Sequence, residues 1–132
     1  MRKPRGFMRI GGGVAGFKAG EIVLADWRGD ALPKEPNKRR PAVVVEDDGL
    51  FGPNYPDVIL VPLSDDKRLV IAKLAVEIAP TAENGCSKIC WAAGHLVAAT
   101  SKRRVTVTGS RVTGEELRAI RGVVGLAVGI DA

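Results

Sequence analysis

Apolar residues along this chain gather in short runs separated by irregular polar stretches, a spacing typical of strands rather than helices. Glu21 to Ala25 reads as a strand, with Ile22 and Leu24 on one face and Val23 making it mostly apolar. Ala42 to Val45 is a short buried strand closed by the acidic turn EDDG. Val58 to Leu63 is another, and Pro62 within it marks an edge or a strand end, because proline brings no N–H to a ladder. Ala75 to Ile78 is a weaker strand. Ile89 to His95 and Leu96 to Thr100 read as strands of small residues, and Val105 to Val107 alternates with threonine. Between the first two strands lies DWRGDALPKEPNKRR, kept irregular by its two prolines and Asn37. A loop of that length inside a small domain is often functional.

The period changes at the end of the chain. Thr113 with Glu116 three residues on forms a capping box, in which each side chain satisfies the other residue's backbone N–H. Leu117, Ile120, Val124 and Val128 then follow a helical stripe, with Arg118 and Arg121 expected on the other side. The pattern predicts a mostly β domain, α+β by count, ending in one helix. Short strands with irregular connections predict a small β-barrel or a strongly curved sheet.

Composition narrows the setting. With 132 residues, 45% of them hydrophobic, the chain holds one domain with a real core. No run of about 18 apolar residues occurs, so no membrane span is expected. The basic start lacks the apolar stretch of a signal peptide, and two cysteines do not make a disulfide scaffold. A cytoplasmic protein with reduced thiols is the expectation. The net charge is +5, but its location matters more than its size. Arg2, Lys3, Arg5, Arg9 and Lys18 stand in the first twenty residues without an acid, and the remainder of the chain is formally neutral. Residues 1–19, with their GGGVAG run, are expected to form a disordered basic extension, and 20–132 the domain. Met8 leaves a second possible start. Any nucleic-acid site must then come from local clusters. Lys102, Arg103 and Arg104 are one, read either as the lining of an RNA groove or as a solvated turn.

Many familiar chemistries are absent. There is no phosphate-binding glycine loop, no GxSxG elbow, no HExxH and no CxxC pair. Cys86, Cys90 and His95 form a C-x3-C-x4-H string one ligand short of a structural zinc site, so no metal is expected. Asp65 and Asp66 are adjacent on a strand end, point to opposite faces and make a poor two-metal clamp. The informative stretches are KRRPAVVV (38–45) and VILVPLSDD (58–66). Arg40 precedes a proline at the mouth of a buried strand, and Ser64 closes the later strand. If the two strands are neighbours, a guanidinium and a hydroxyl converge beside the long loop. A planar guanidinium grips two phosphate oxygens at once, and a hydroxyl donates to the same group.

In that order and spacing, GEIVLADW (20–27), RRPAVVV (39–45) and VILVPLS (58–64) resemble the MazF/PemK family, the endoribonuclease toxins of bacterial type II toxin–antitoxin pairs. HLVAATSKRRVT (95–106) and the closing helix extend the resemblance over about residues 20–130. It implies an SH3-like barrel with a C-terminal helix, a homodimer, a cognate antitoxin as partner, and cleavage of single-stranded RNA without metal or other cofactor. The ribose 2′-OH then attacks its own phosphate, leaving a cyclic phosphate and a 5′-OH. Arg40 falls on the family's Arg-Pro arginine, which would stabilise transition-state charge. Ser64 falls on the Thr/Ser that bonds the scissile phosphate. Glu35 stands where some members carry a loop glutamate, and Asp26 matches an acid after the first strand that would order the loop. The family's strand acid–arginine pair aligns with Ala92 and Gly94 and is missing. His95, the only histidine, reads either as the proton carrier, since its ordinary pKa near 6.5 suits the task, or as a satisfied structural histidine. Trp27 beside the loop, with Lys38, would help bind RNA, while Trp91 reads as core or dimer interface. Two other functions compete. One is a CcdB-like gyrase inhibitor, but its Trp-Gly-Ile tail appears here as Val128-Gly129-Ile130. The other is an RNA-binding barrel that has lost activity.

Overall fold

Residues 17–26 and 39–130 are described by the computed structural model. In chain order the strands are β1 (Glu21–Asp26), β2 (Arg39–Val44), β3 (Asp57–Ser64), β4 (Ala75–Ile78), β5 (Cys90–Ala93), β6 (Ala98–Ser101) and β7 (Val105–Arg111), followed by helix α1 (Gly114–Ala127). They form one antiparallel sheet in the order β4-β5-β3-β2-β1-β7, with β6 also paired to β3.

The central strands are apolar on both faces, so their sequences run as continuous apolar stretches rather than alternating. Alternation along each strand sorts the side chains into two clusters. Ile22, Val43, Val61, Leu63 and Ala92 face one side, where α1 covers them with the fully buried Ile120. Val23, Ala25, Ala42, Val44, Val58 and Leu60 face the other. Ala98 of β6 and Val105 of β7 both pack on that second cluster, although they lie at opposite ends of the sheet. The sheet therefore curls over this face. It does not close: no ladder among the described residues joins β6 to β7, which are linked by a 3-10 turn at Lys102–Arg104 instead of a hairpin. Of the two forms expected from the sequence, a small barrel or a strongly curved sheet, the described residues make a curled, open sheet.

Several local expectations change. Phe17 packs on the second cluster and the Ala19 N–H donates to Asp48 Oδ1 at 2.8 Å, so residues 17–19 touch the domain. The stretch read as strand through His95 breaks at Gly94–Leu96 into a 3-10 turn. Between Leu60 and Leu63 of β3 the partner chain runs from Ala98 back to Ala92. Three extra residues are pushed out there, as many as the turn contains. The capping box at Thr113 and Glu116 forms as expected, with Leu117 and Val124 packed on the core. Val128 does not join the stripe. It is 65% exposed, because Gly129 adopts φ 93° and turns the chain out of the helix. Arg121 does not face away either. Its Nε and one Nη donate to the backbone oxygens of Val45 and Glu46, at 3.0 and 2.9 Å, tying α1 to the end of β2.

Candidate functional site

β2 and β3 pair from Val44↔Leu60 to Ala42↔Pro62. Carried two residues further, that register sets Arg40 across from Ser64. Alternation puts Arg40 on the face of Ala42 and Val44, and Ser64 on the face of Val58 and Leu60, which are one and the same face. Pro62 contributes no donor where the ladder ends, and β3 turns to β5 for its last two residues, Leu63↔Ala92 and Ser64↔Trp91. By strand alternation, Arg40 and Ser64 thus stand on one side of the sheet near the end of the β2–β3 ladder.

Ser64 is 9% exposed. Its Oγ accepts from the Asp66 N–H at 3.0 Å and donates weakly to the Asp66 carbonyl at 3.4 Å, so the strand end holds the hydroxyl in place. Asp66 caps the next 3-10 turn (Lys67–Leu69) and grips Arg68 through both carboxylate oxygens. Asp65 points to the opposite face, as alternation demands, and pairs with Lys88 at 3.0 Å.

Beside Asp65 lies a cleft of about 390 Å³, lined by Arg39, Arg40, Pro41, Leu63, Asp65 and Cys90 among others, so Arg40 borders this cleft as well. Arg39 crosses β1 to reach the Thr106 hydroxyl. The far wall is the 79–88 segment, which the sequence reading passed over. Buried Asn84 organises it by accepting from the Thr81 and Cys86 N–H groups and donating to the Ala79 carbonyl. The Asn-Gly dipeptide at 84–85 was its signal, and Gly85 takes φ 66° against Ser110. Burial, and then the neighbouring Cys86 thiol, push the Cys90 thiol up to about 11. The Cys90 thiol is therefore held in its protonated form beside Cys86. Among the described residues no three His, Cys, Asp or Glu side chains gather as a metal ion would require.

His95 is not brought to Arg40 and Ser64. It sits in the Gly94–Leu96 turn, four residues beyond Trp91, and that turn packs against α1 on the helix side of the sheet. Its Nδ1 is buried and meets no hydrogen-bond partner among the described residues. The turn thus sets His95 against the helix side of the sheet rather than in the row of Ser64 and Trp91. The positions aligned with the missing acid–arginine pair are packing sites. Ala92 is fully buried, and a Cβ on Gly94 would lie 2.6 Å from Val123 Cγ2.

The basic triplet forms the 3-10 turn after β6. Ser101 Oγ accepts from the Arg103 N–H, and Lys102 Nζ reaches the Pro53 carbonyl at 3.4 Å. Val105, which follows the turn, pairs with Ala25, and Ala25 also pairs with Arg40. Arg104 therefore stands two strand spacings, roughly 10 Å, from the Arg40 backbone. Trp27, Glu35 and Lys38 lie outside the described residues. Trp91 is neither core nor free surface. It is half-buried on the Ser64 face, a placement the sequence reading missed.

The fold has close counterparts among solved structures. The Mycobacterium tuberculosis toxin MazF-mt6 superposes with a TM-score of 0.65 at 16% identity, over 85% of this chain and 99% of that one. An endoribonuclease in complex with its cognate antitoxin, from a mycobacterial species, gives 0.64 at 16% identity, over 86% and 96%. MazF from Deinococcus radiodurans gives 0.62 at 20% identity, over 85% and 96%. No curated protein matches the sequence significantly. The family of PemK-like, MazF-like toxins of type II toxin–antitoxin systems matches over residues 18–127, and the chain belongs to that family.

Proposed function

We propose that this toxin is an endoribonuclease that cuts single-stranded RNA without metal, using the substrate's own 2′-OH as nucleophile. The observation that supports the reading is the β2–β3 pairing, which ends at Ala42↔Pro62 and by alternation leaves Arg40 and Ser64 on one side of the sheet just beyond it. Arg40 supplies a fixed positive fork for the phosphate oxygens as charge builds on them. Ser64 turns its proton from the weak contact with the Asp66 carbonyl to the phosphate. Glu35, five residues before Arg40 in the chain, takes the 2′-OH proton in place of His95. Lys38, Trp27 and the Lys102–Arg104 turn extend the contact to flanking nucleotides. The protein acts as a homodimer with an SH3-like architecture, and a cognate antitoxin restrains it in the cytoplasm. One solved counterpart is an endoribonuclease with its cognate antitoxin, which supports that pairing.

The test is incubation of the purified protein with a long single-stranded RNA in excess EDTA. Wild type should cut and leave cyclic phosphate ends, Arg40→Ala should not, and a 2′-deoxy substitution at the cut should protect the strand. Cutting that EDTA abolishes would refute the mechanism. Growth arrest without RNA cleavage would favour a non-enzymatic toxin on this fold.

A further inference from the structure

Beyond Ser64 the paired row continues across two more strands. Ser64 pairs with Trp91 on β5, and Trp91 pairs with Glu77 on β4. Directly opposed residues in an antiparallel sheet project to the same side, so Glu77, Trp91 and Ser64 share the face that carries Arg40. At about 4.8 Å per strand, the Glu77 backbone lies roughly 10 Å from that of Ser64. The 3-10 segment between β3 and β4 arches over this part of the row. It leaves a hollow of about 330 Å³ lined by Lys67, Val70, Ala72, Ala75, Glu77 and Trp91. One wall is a half-buried indole, another is small and apolar, and an exposed carboxylate and an exposed ammonium stand at its edge.

Resting on the ribonuclease reading above, we propose that this hollow is a base subsite which takes one unpaired guanine of the RNA next to the phosphate held by Arg40 and Ser64. An indole is a stacking platform for any base, because every base presents a π-face. Selection comes from Glu77. A carboxylate offers two acceptor oxygens and no donor. Guanine presents two adjacent donors, N1–H and the N2 amino group, on its Watson–Crick edge. Adenine, cytosine and uracil each present a single donor position there, flanked by acceptors that a carboxylate repels. Lys67 stands at the rim, where it meets the backbone phosphate.

The probe is tryptophan fluorescence in a Trp27→Phe background, where Trp91 is the remaining tryptophan. Short 2′-deoxy oligonucleotides, which lack the attacking hydroxyl, are titrated with a single guanine, inosine, adenine or cytosine among deoxyuridines. Guanine should quench Trp91 and bind on the order of tenfold more tightly than inosine, which lacks the N2 amino group. Glu77→Gln should erase that preference. Trp91→Ala should weaken every oligonucleotide between about fivefold and a hundredfold, and Trp91→Phe should recover part of the loss. Equal binding of the guanine and inosine strands, or binding without quenching, would overturn the subsite. Light scattering that shows a changed oligomeric state in Trp91→Phe or Glu77→Gln would also overturn it, assigning the face to contact between copies. Cut sites mapped on a long RNA separate the two readings. Cutting indifferent to guanine removes the subsite and leaves the nuclease, while guanine-selective quenching without cutting removes the nuclease and leaves the subsite.

Discussion

Pro41 fixes the backbone after Arg40, and Ala25 pairs with Arg40 on β1. Arg40→Ala should abolish RNA cleavage with the melting temperature nearly unchanged. Arg40→Lys should restore little, since an ammonium cannot grip two oxygens in one plane. Ser64→Ala should slow cleavage by roughly tenfold to a thousandfold, the usual loss for one transition-state donor, as read in single-turnover assays. His95→Ala should cut with an unchanged pH profile, whereas Glu35→Gln should flatten the basic limb of that profile. Cys90 gives a test outside the active face. Its thiol titrates near 11 rather than at 9.0, because burial penalises the thiolate. A raised acid pKa means that the folded state favours the protonated form. The resulting stability is complete below about pH 9 and is lost as pH climbs through 11. Alkylation of Cys90 by iodoacetamide should accordingly stay slow at pH 8 and accelerate only towards that value. Fast labelling at pH 8 would show the thiol to be open. The strand-end positions of Arg40 and Ser64 were legible because a proline after the one and a polar run after the other announce themselves locally. Trp91 and Glu77 were not, since their facing depends on register across three strands. Neither was the position of His95, which an insertion of three residues carries away from the row.

The elements were most legible where local chemistry alone decides them. The capping box placed the start of α1 to the residue, because Thr113 and Glu116 bond each other's backbone whatever lies around them. Its other end was misread. The Ile130 N–H folds back to the Gly125 carbonyl and the Gly129 N–H to Leu126, a Schellman closure that needs the positive φ of Gly129. Periodicity carried the stripe one turn too far because it does not register that stop. Arg121 was misread for a different reason. A guanidinium at the edge of an apolar stripe is long enough to reach over it, and two strand-end carbonyls wait there. Removing it leaves both oxygens to water. Arg121→Ala should cost about 1–2 kcal/mol in urea denaturation, while Arg118→Ala on the exposed side should cost almost nothing. Gly94 sets how closely the inserted turn approaches the helix. A methyl there meets Val123 Cγ2 at 2.6 Å and the Leu74 carbonyl at 3.0 Å, and backbone on both sides must move. Gly94→Ala should therefore destabilise by roughly 1–3 kcal/mol, as overpacking does, and a neutral result would mean that α1 rides loosely on the sheet.

At the scale of the whole molecule, charge and core meet at the N-terminus. The surplus of five positive charges sits in the first twenty residues, against a formally neutral remainder. Among the described residues Phe17 packs on the second cluster, and the Gly20 N–H bonds the Val44 carbonyl at 2.8 Å. Two deletions separated by two residues should thus behave differently. Removing residues 1–16 takes away Arg2, Lys3, Arg5 and Arg9 but leaves Phe17, and the melting temperature should hold within a few degrees. Removing residues 1–18 also takes Phe17, uncovering part of the second cluster, and the melting temperature should fall clearly. The shorter deletion isolates the charge. Each phosphate neutralised on a single strand contributes about 0.7 to the slope of log affinity against log salt. If the four basic residues touch RNA, deleting them should flatten that slope by up to about 3 and weaken binding at low salt, with the guanine preference unchanged. If they do not, slope and affinity stay as they were, and all recognition belongs to the face carrying Arg40, Ser64 and Trp91. Fluorescence titrations between 50 and 300 mM salt, on wild type and the 1–16 deletion, decide between the two.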